Sequence, residues 1–219
     1  MESISSTNFL INIFDDILIL LTLGGPVVVI LIVASIFGLA LALRKFMQFS
    51  KVGAPELNGL HVAVDQWQRG ERKRAIEVFN NSSLPIAKDL HFALEQQTKI
   101  DSDFLYDEML RRSSTFLREY SNNLRLLELI YSLAPVLGLL GTVLGMIDAF
   151  RGLADSAGTA GESSALAGGI WEALLTTAVG LSIAIFFAVI HALLESKLET
   201  LVDNVNDVVS RVLHLPEKT

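Results

Sequence analysis

The sequence predicts an all-α membrane protein with three transmembrane helices and long cytoplasmic helical extensions. Three observations predict it. Apolar residues make up 51% of 219 residues and are gathered in three blocks instead of being spread at one even period. The Lys and Arg residues are distributed unevenly around those blocks. Beyond the second and third blocks, apolar stripes continue at helical spacings of three and four, and no segment shows a strand pattern.

The elements follow in order. Residues 1–25 read as a periplasmic or interfacial amphipathic helix, with Asp15 and Asp16 toward water and Phe9, Leu10, Ile13 and Phe14 toward lipid. Gly24, Gly25 and Pro26 then interrupt it. Pro26–Leu43 is a charge-free run of 18 residues, enough to cross a bilayer, and proline suits a first helical turn. Transmembrane helix 1 is therefore expected at 26–48, with Arg44 and Lys45 as its inner stop.

Residues 49–102 contain the breakers Gly53, Pro55, Gly59, Gly70 and Pro85 between short helical patterns. They read as a cytoplasmic helical insert whose basic run, Arg69–Arg74, is a solvated face rather than a lipid-headgroup site. Over 103–150, Tyr106, Leu110, Ser113, Leu117, Tyr120, Leu124, Leu127 and Tyr131 recur at alternating spacings. This predicts a cytoplasmic helix running without interruption into transmembrane helix 2. Residues 151–164 form a Gly/Ser-rich periplasmic loop. Residues 165–213 form transmembrane helix 3 and a cytoplasmic continuation, striped by Leu194, Leu198, Leu201, Val205, Val208 and Val212; 214–219 are a tail. The two stripes pack against each other or against neighbouring subunits, and spacing alone leaves both open.

Charge sets the orientation. Of 17 Lys and Arg residues, 13 lie from Arg44 to Arg125, one (Arg151) between the last two blocks, three after Leu194 and none before Arg44. The positive-inside rule then puts the N-terminus in the periplasm and the C-terminus in the cytoplasm. The N-terminus has no basic n-region and does not read as a cleavable signal. A net charge of −7 argues against a nucleic-acid partner, and the absence of cysteine removes disulfides, zinc thiolates and cysteine nucleophiles. No nucleotide loop, nucleophile elbow or metal-ligand motif is present, so no enzyme, cofactor or metal is expected.

The chemistry is concentrated in the last two spans. In the second, Gly138, Gly141 and Gly145 make one small-residue face that allows close helix approach in lipid. Thr142 adds a hydroxyl beside it, and Pro135 removes one backbone hydrogen bond and frees a carbonyl. In the third, Glu172 is the one carboxylate clearly within the span, about 10 Å from its start at 1.5 Å per residue. Facing lipid, its charge would cost about 2.5–3.5 kcal/mol or more, so it should face a bundle interior or a wet cavity. Thr176 shares its face, and Thr177 and Gly180 border it. Such a carboxylate is either an ion relay or a polar clamp hydrogen-bonded across helices, and the residues alone leave both readings open. Asp148 and Arg151 read as an interfacial salt bridge, His191 as interfacial, and Trp171 as an outer-interface anchor.

The segments LAPVLGLLGTVLGMIDAF and GGIWEALLTTAVGLSIAI resemble the MotA/TolQ/ExbB proton-channel family, in its ExbB/TolQ branch. The stretch GERKRAIEVFNNSSLPIAKDLHFAL is similar to that branch's helical insert. The departures are Trp171, where small or aliphatic residues are usual, and Asp148, where a neutral one is common. The resemblance implies a homopentamer in the bacterial inner membrane around an ExbD- or TolR-like single-span dimer that supplies a second membrane carboxylate. It matches the family's glutamate to Glu172 and its threonines to Thr142 and Thr177. It implies a stator that, with a TonB- or TolA-like protein among its further partners, turns proton motive force into work on the cell envelope. The competing readings are a non-conducting membrane scaffold, a stator of a motility system, and a self-sufficient channel. The last is disfavoured by the lack of a second intramembrane acid.

Overall fold

A computed structural model of the chain describes residues 24–96, 99–155 and 162–213. The expected N-terminal amphipathic helix and the tail lie outside the described residues, apart from Gly24 and Gly25. Among the described residues all regular structure is helical: α1 Gly25–Ser50, α2 Ala54–Gln68, α3 Arg72–Asn81, α4 Pro85–Gln96, α5 Ser102–Ser121, α6 Leu124–Asp155 and α7 Glu162–Leu213. Three stretches, in α1, α6 and α7, are long and apolar enough to cross a membrane. The chain divides into two compact units, one from residues up to 41 with 126–191 and one from 42–125 with the residues after 191.

In the first unit α6 and α7 run antiparallel and almost touch backbone to backbone. A methyl on Gly138 would lie 3.0 Å from the Thr176 carbonyl oxygen, one on Gly145 3.0 Å from Ala173 Cβ, and one on Gly180 2.6 Å from the Ala134 carbonyl oxygen. Ala149 closes on Gly169 in the same way. The predicted glycine face is therefore half of a seam, and Gly169, Ala173, Thr176 and Gly180 are the other half. On α1, Gly38 admits the Phe187 ring and the end of Ile130, where an added methyl would meet both below 3.0 Å. Val27, Leu31, Ala134 and Ala184 form a buried apolar cluster. The opposite faces leave Ile36, Leu139 and Ile185 more than 60% exposed, as a chain that meets lipid or other subunits requires.

The second unit is a helical insert with a conventional core. Leu60, Val64, Phe79, Ile86 and Leu90 are almost completely buried, and so are Leu194, Leu201, Val205, Val208 and Val212 of α7. The α7 stripe thus packs within the chain. Polar contacts pin it to α2: His61 Nε2 lies 3.0 Å from Asn204 Oδ1, and Arg211 pairs with Asp65. Arg112 bridges Asp89 at 2.6 Å and Glu108 at 2.7 Å, joining α4 to α5. Together with Arg111 at 2.8 Å, it holds the Glu108 carboxyl down to about 2 through charged hydrogen bonds.

Two differences from the sequence pattern have physical causes. The helix expected to run unbroken from Asp103 to Phe150 stops at Ser121. Asn122 leaves it at φ −55, ψ 140 and Asn123 adopts a left-handed φ of 69, a region asparagine tolerates better than most residues. The stripe also shifts. On α5 the buried residues are Leu105, Met109, Ser113, Phe116 and Tyr120, whereas Tyr106 and Leu110 are each 45% exposed. Ser113 and Tyr120 keep their predicted places, and Leu105, Met109 and Phe116 take those expected for Tyr106, Leu110 and Leu117, each one residue or about 100° of helix rotation away. The second difference is the outer loop. Helix α6 continues to Asp155 and α7 begins at Glu162, so helix occupies both ends of the expected 151–164 loop.

The break exposes the last carbonyls of α5, and Lys45 answers them. Its side chain is buried, and Nζ donates to the Tyr120 carbonyl at 2.9 Å, the Glu119 carbonyl at 3.3 Å and Gln48 Oε1 at 2.9 Å. Gln48 Nε2 adds a 3.2 Å bond to the Glu119 carbonyl. A cation at a helix C-terminus also opposes the negative end of the helix dipole.

Candidate functional site

The start of α1 makes the site possible. Gly25 has φ +61, a conformation that costs an ordinary L-residue about 1–2 kcal/mol. A side chain there would also sit 3.0 Å from Glu172 Oε1, so glycine lets the backbone come up against the carboxylate. Glu172 and Thr176 of α7, Gly141, Gly145 and Asp148 of α6, and Gly24–Val27 border one cavity of about 340 Å³. Glu172 is half-buried in it. Among the described residues no hydrogen-bond donor or cation pairs with its carboxylate.

The hydroxyls divide. Thr176 is 3% exposed, and its Oγ1 lies 2.7 Å from the Ala173 carbonyl and 3.2 Å from that of Gly138. One hydroxyl proton serves one of these at a time. Thr177 Oγ1 donates to the same Gly138 carbonyl at 3.0 Å. The two threonines thus clasp α6 where glycine exposes its backbone. Thr142 is turned away, donating to Leu139 of its own helix at 2.6 Å, and does not border the cavity. The structure brings Glu172 and Thr176 to one cavity, puts Thr177 on the seam beside it, and leaves Thr142 apart. Gly138, Gly141, Gly145 and Gly180 lie on the seam, and Pro135 lies inside α6.

Two residues of the site were not singled out for it from sequence. Gly25 reads there only as part of a break, although Gly-Gly-Pro ahead of a span is the available signal for a close backbone approach. Asp148 does pair with Arg151, loosely, at 3.7 Å with both side chains at least 75% exposed. It also borders the Glu172 cavity, which an i, i+3 pattern does not reveal. His191 is 9% exposed with its ring edge-on to Tyr131 at 5.3 Å, and Trp171 is 64% exposed.

Three apolar spans with Glu172 and Asp148 bordering a cavity among them define a multi-pass membrane protein of the ion-pathway type. Residues 81–207, more than half of the chain, match the model of the MotA/TolQ/ExbB proton channel family. The chain belongs to that family. A candidate biopolymer transport protein ExbB homolog of Methanothermobacter thermautotrophicus is 29% identical over 181 residues, covering 80% of this chain and 61% of the relative. The chain thus spans less than two thirds of that relative's length. The likeness is to the ExbB side of the family.

Proposed function

We propose that the chain is the channel-forming stator subunit of an ExbB/TolQ-type motor, with Glu172 as its proton-exchanging group. One observation carries this reading: the Glu172 carboxylate lies in a cavity between three spans with no bonding partner among the described residues. A helix clamp needs a hydrogen bond across helices, and among the described residues the side-chain bonds across this seam run from Thr176 and Thr177 to the Gly138 carbonyl. Without a partner among the described residues and in reach of a cavity, this carboxyl can gain and lose a proton. Thr176 is the hydroxyl nearest to that task within one chain. Thr177 holds the seam, and Thr142 serves a path completed by other chains.

In this reading five copies surround an ExbD/TolR-like single-span dimer in the inner membrane, with the N-terminus periplasmic and the C-terminus cytoplasmic. The partner supplies the second carboxylate. A proton crossing about 100 mV releases about 2.3 kcal/mol, enough to bias two packed states separated by a few kcal/mol. The work goes to an outer-membrane transport or envelope-integrity system. The test is Glu172→Gln in the complex with its partner, reconstituted in liposomes. Proton flux should fall to background while the assembly stays intact; flux at the unmodified level would end the relay reading in favour of a scaffold.

A further inference from the structure

We propose that the pocket beside the α5–α6 break binds a phosphate-bearing anion, and that its occupant is the headgroup of an anionic phospholipid. The pocket has a volume of about 560 Å³ and is bordered by Arg44, Lys45, Lys51, Glu119, Asn122 and Asn123 among others. Three cations therefore face one carboxylate.

The cations have different duties. Lys45 has three N–H donors and three acceptors, all of them protein groups, so it is committed to capping α5. Arg44 and Lys51 are exposed, and among the described residues neither forms an ion pair. Arg44 lies on α1 and Lys51, seven residues later, in the turn just past its end, and both border the same pocket. A guanidinium and an ammonium at that spacing, with the carboxamides of Asn122 and Asn123 opposite, offer the donors that phosphate oxygens take.

The apolar neighbours favour a lipid over a free anion. Met47 borders the pocket and is 67% exposed; Leu43, one turn earlier and the last residue of the charge-free run, is 57% exposed. An acyl chain can lie on Leu43 and Met47 while its phosphate sits between Arg44 and Lys51. Basic groups directly flanking a span are where anionic headgroups collect.

The experiment uses the full chain in detergent, titrated with dioctanoyl-phosphatidylglycerol, dioctanoyl-phosphatidylcholine and inorganic phosphate, with binding read by thermophoresis. Saturable binding of the phosphatidylglycerol is expected, much weaker for the other two. The pair Arg44→Gln and Lys51→Gln should weaken it on the order of 30-fold, from about fivefold for each charge removed. Equal binding of phosphatidylcholine, or no change in the double variant, overturns the site. Inorganic phosphate as tight as the lipid overturns the lipid assignment. Should the double variant not fold, Glu119→Gln decides: removing the one carboxylate tightens binding if the site is real, and unchanged affinity refutes it.

Discussion

Replacing Gly141 by alanine tests the α6–α7 seam directly. The added methyl would stand 2.5 Å from Oγ1 and 2.6 Å from Cβ of Thr176. The Cβ is not the flexible end of a side chain, and Thr176 is almost completely buried, so a rotamer change does not clear the clash. Restoring ordinary contact at 3.4 Å requires the helices to separate by nearly 1 Å at this point. The Thr177 bond to the Gly138 carbonyl, now 3.0 Å, would then stretch beyond hydrogen-bonding range. Overpacking of this kind costs about 1–3 kcal/mol. Alanine also gains about 0.5–1 kcal/mol over glycine in a helix. Gly152→Ala controls for that gain, because a methyl there meets nothing within 4 Å. The expected result is that Gly141→Ala is less stable than Gly152→Ala by about 1–3 kcal/mol. The measurement is reversible unfolding of the detergent-solubilised protein in mixed micelles. Equal stability of the two variants would refute the backbone-contact seam.

Other perturbations address the remaining features. Gly25→Ala should reduce proton flux through the reconstituted complex and destabilise the fold by about 1–2 kcal/mol, since it forces a side chain into a left-handed backbone against Glu172; normal flux with normal stability would separate Gly25 from the site. Lys45→Met should cost about 1.5–3 kcal/mol by leaving the Glu119 and Tyr120 carbonyls without their charged donor, and amide exchange should rise first around Ser121–Leu124. The Glu108 carboxyl is lowered from 4.5 to about 2 in the folded chain, so its stabilising contribution is complete above pH 4.5 and disappears as the pH falls through about 2. The gap in Tm between the unmodified protein and Glu108→Gln should therefore be constant at neutral pH and close under acid; a gap unchanged at pH 2 would exclude the Arg111 and Arg112 pairing as its source.

What the sequence made legible depended on how local the cause was. The three spans rest on composition alone, and the insert's helices end at the marked breakers: α2 follows Gly53, Gly70 precedes α3, and Pro85 opens α4. Gly59 was the exception, because one glycine inside a helix costs only about 1 kcal/mol and α2 passes through it. The Asn122–Asn123 break was missed because neither residue is Gly or Pro and the apolar spacing bridges them. Two adjacent asparagines in an otherwise periodic helix were the available sign. Glu172 and Thr176 border one cavity because i, i+4 geometry on one helix is predictable from spacing, while Thr177, five residues on, lies beside it on the seam. Thr142 was joined to them by the family resemblance; it follows Gly141, and one residue is about 100° of rotation, so within this chain its hydroxyl turns to the Leu139 carbonyl of its own helix. The nearness of Gly25 to Glu172 joins residues almost 150 positions apart, and no local pattern encodes it.

Lys45 leads two lives in this architecture. In the nascent, extended chain it is one of the positive charges that would retain the segment after the first span on the cytoplasmic side under the proposed orientation. Once α5 has formed, the same ammonium is withdrawn from solvent and spent on backbone oxygens. Topology and tertiary structure thus draw on one charge in succession. A substitution that keeps the charge but shortens the reach would insert correctly and still fold badly, and only experiments that separate insertion from folding would tell the two defects apart.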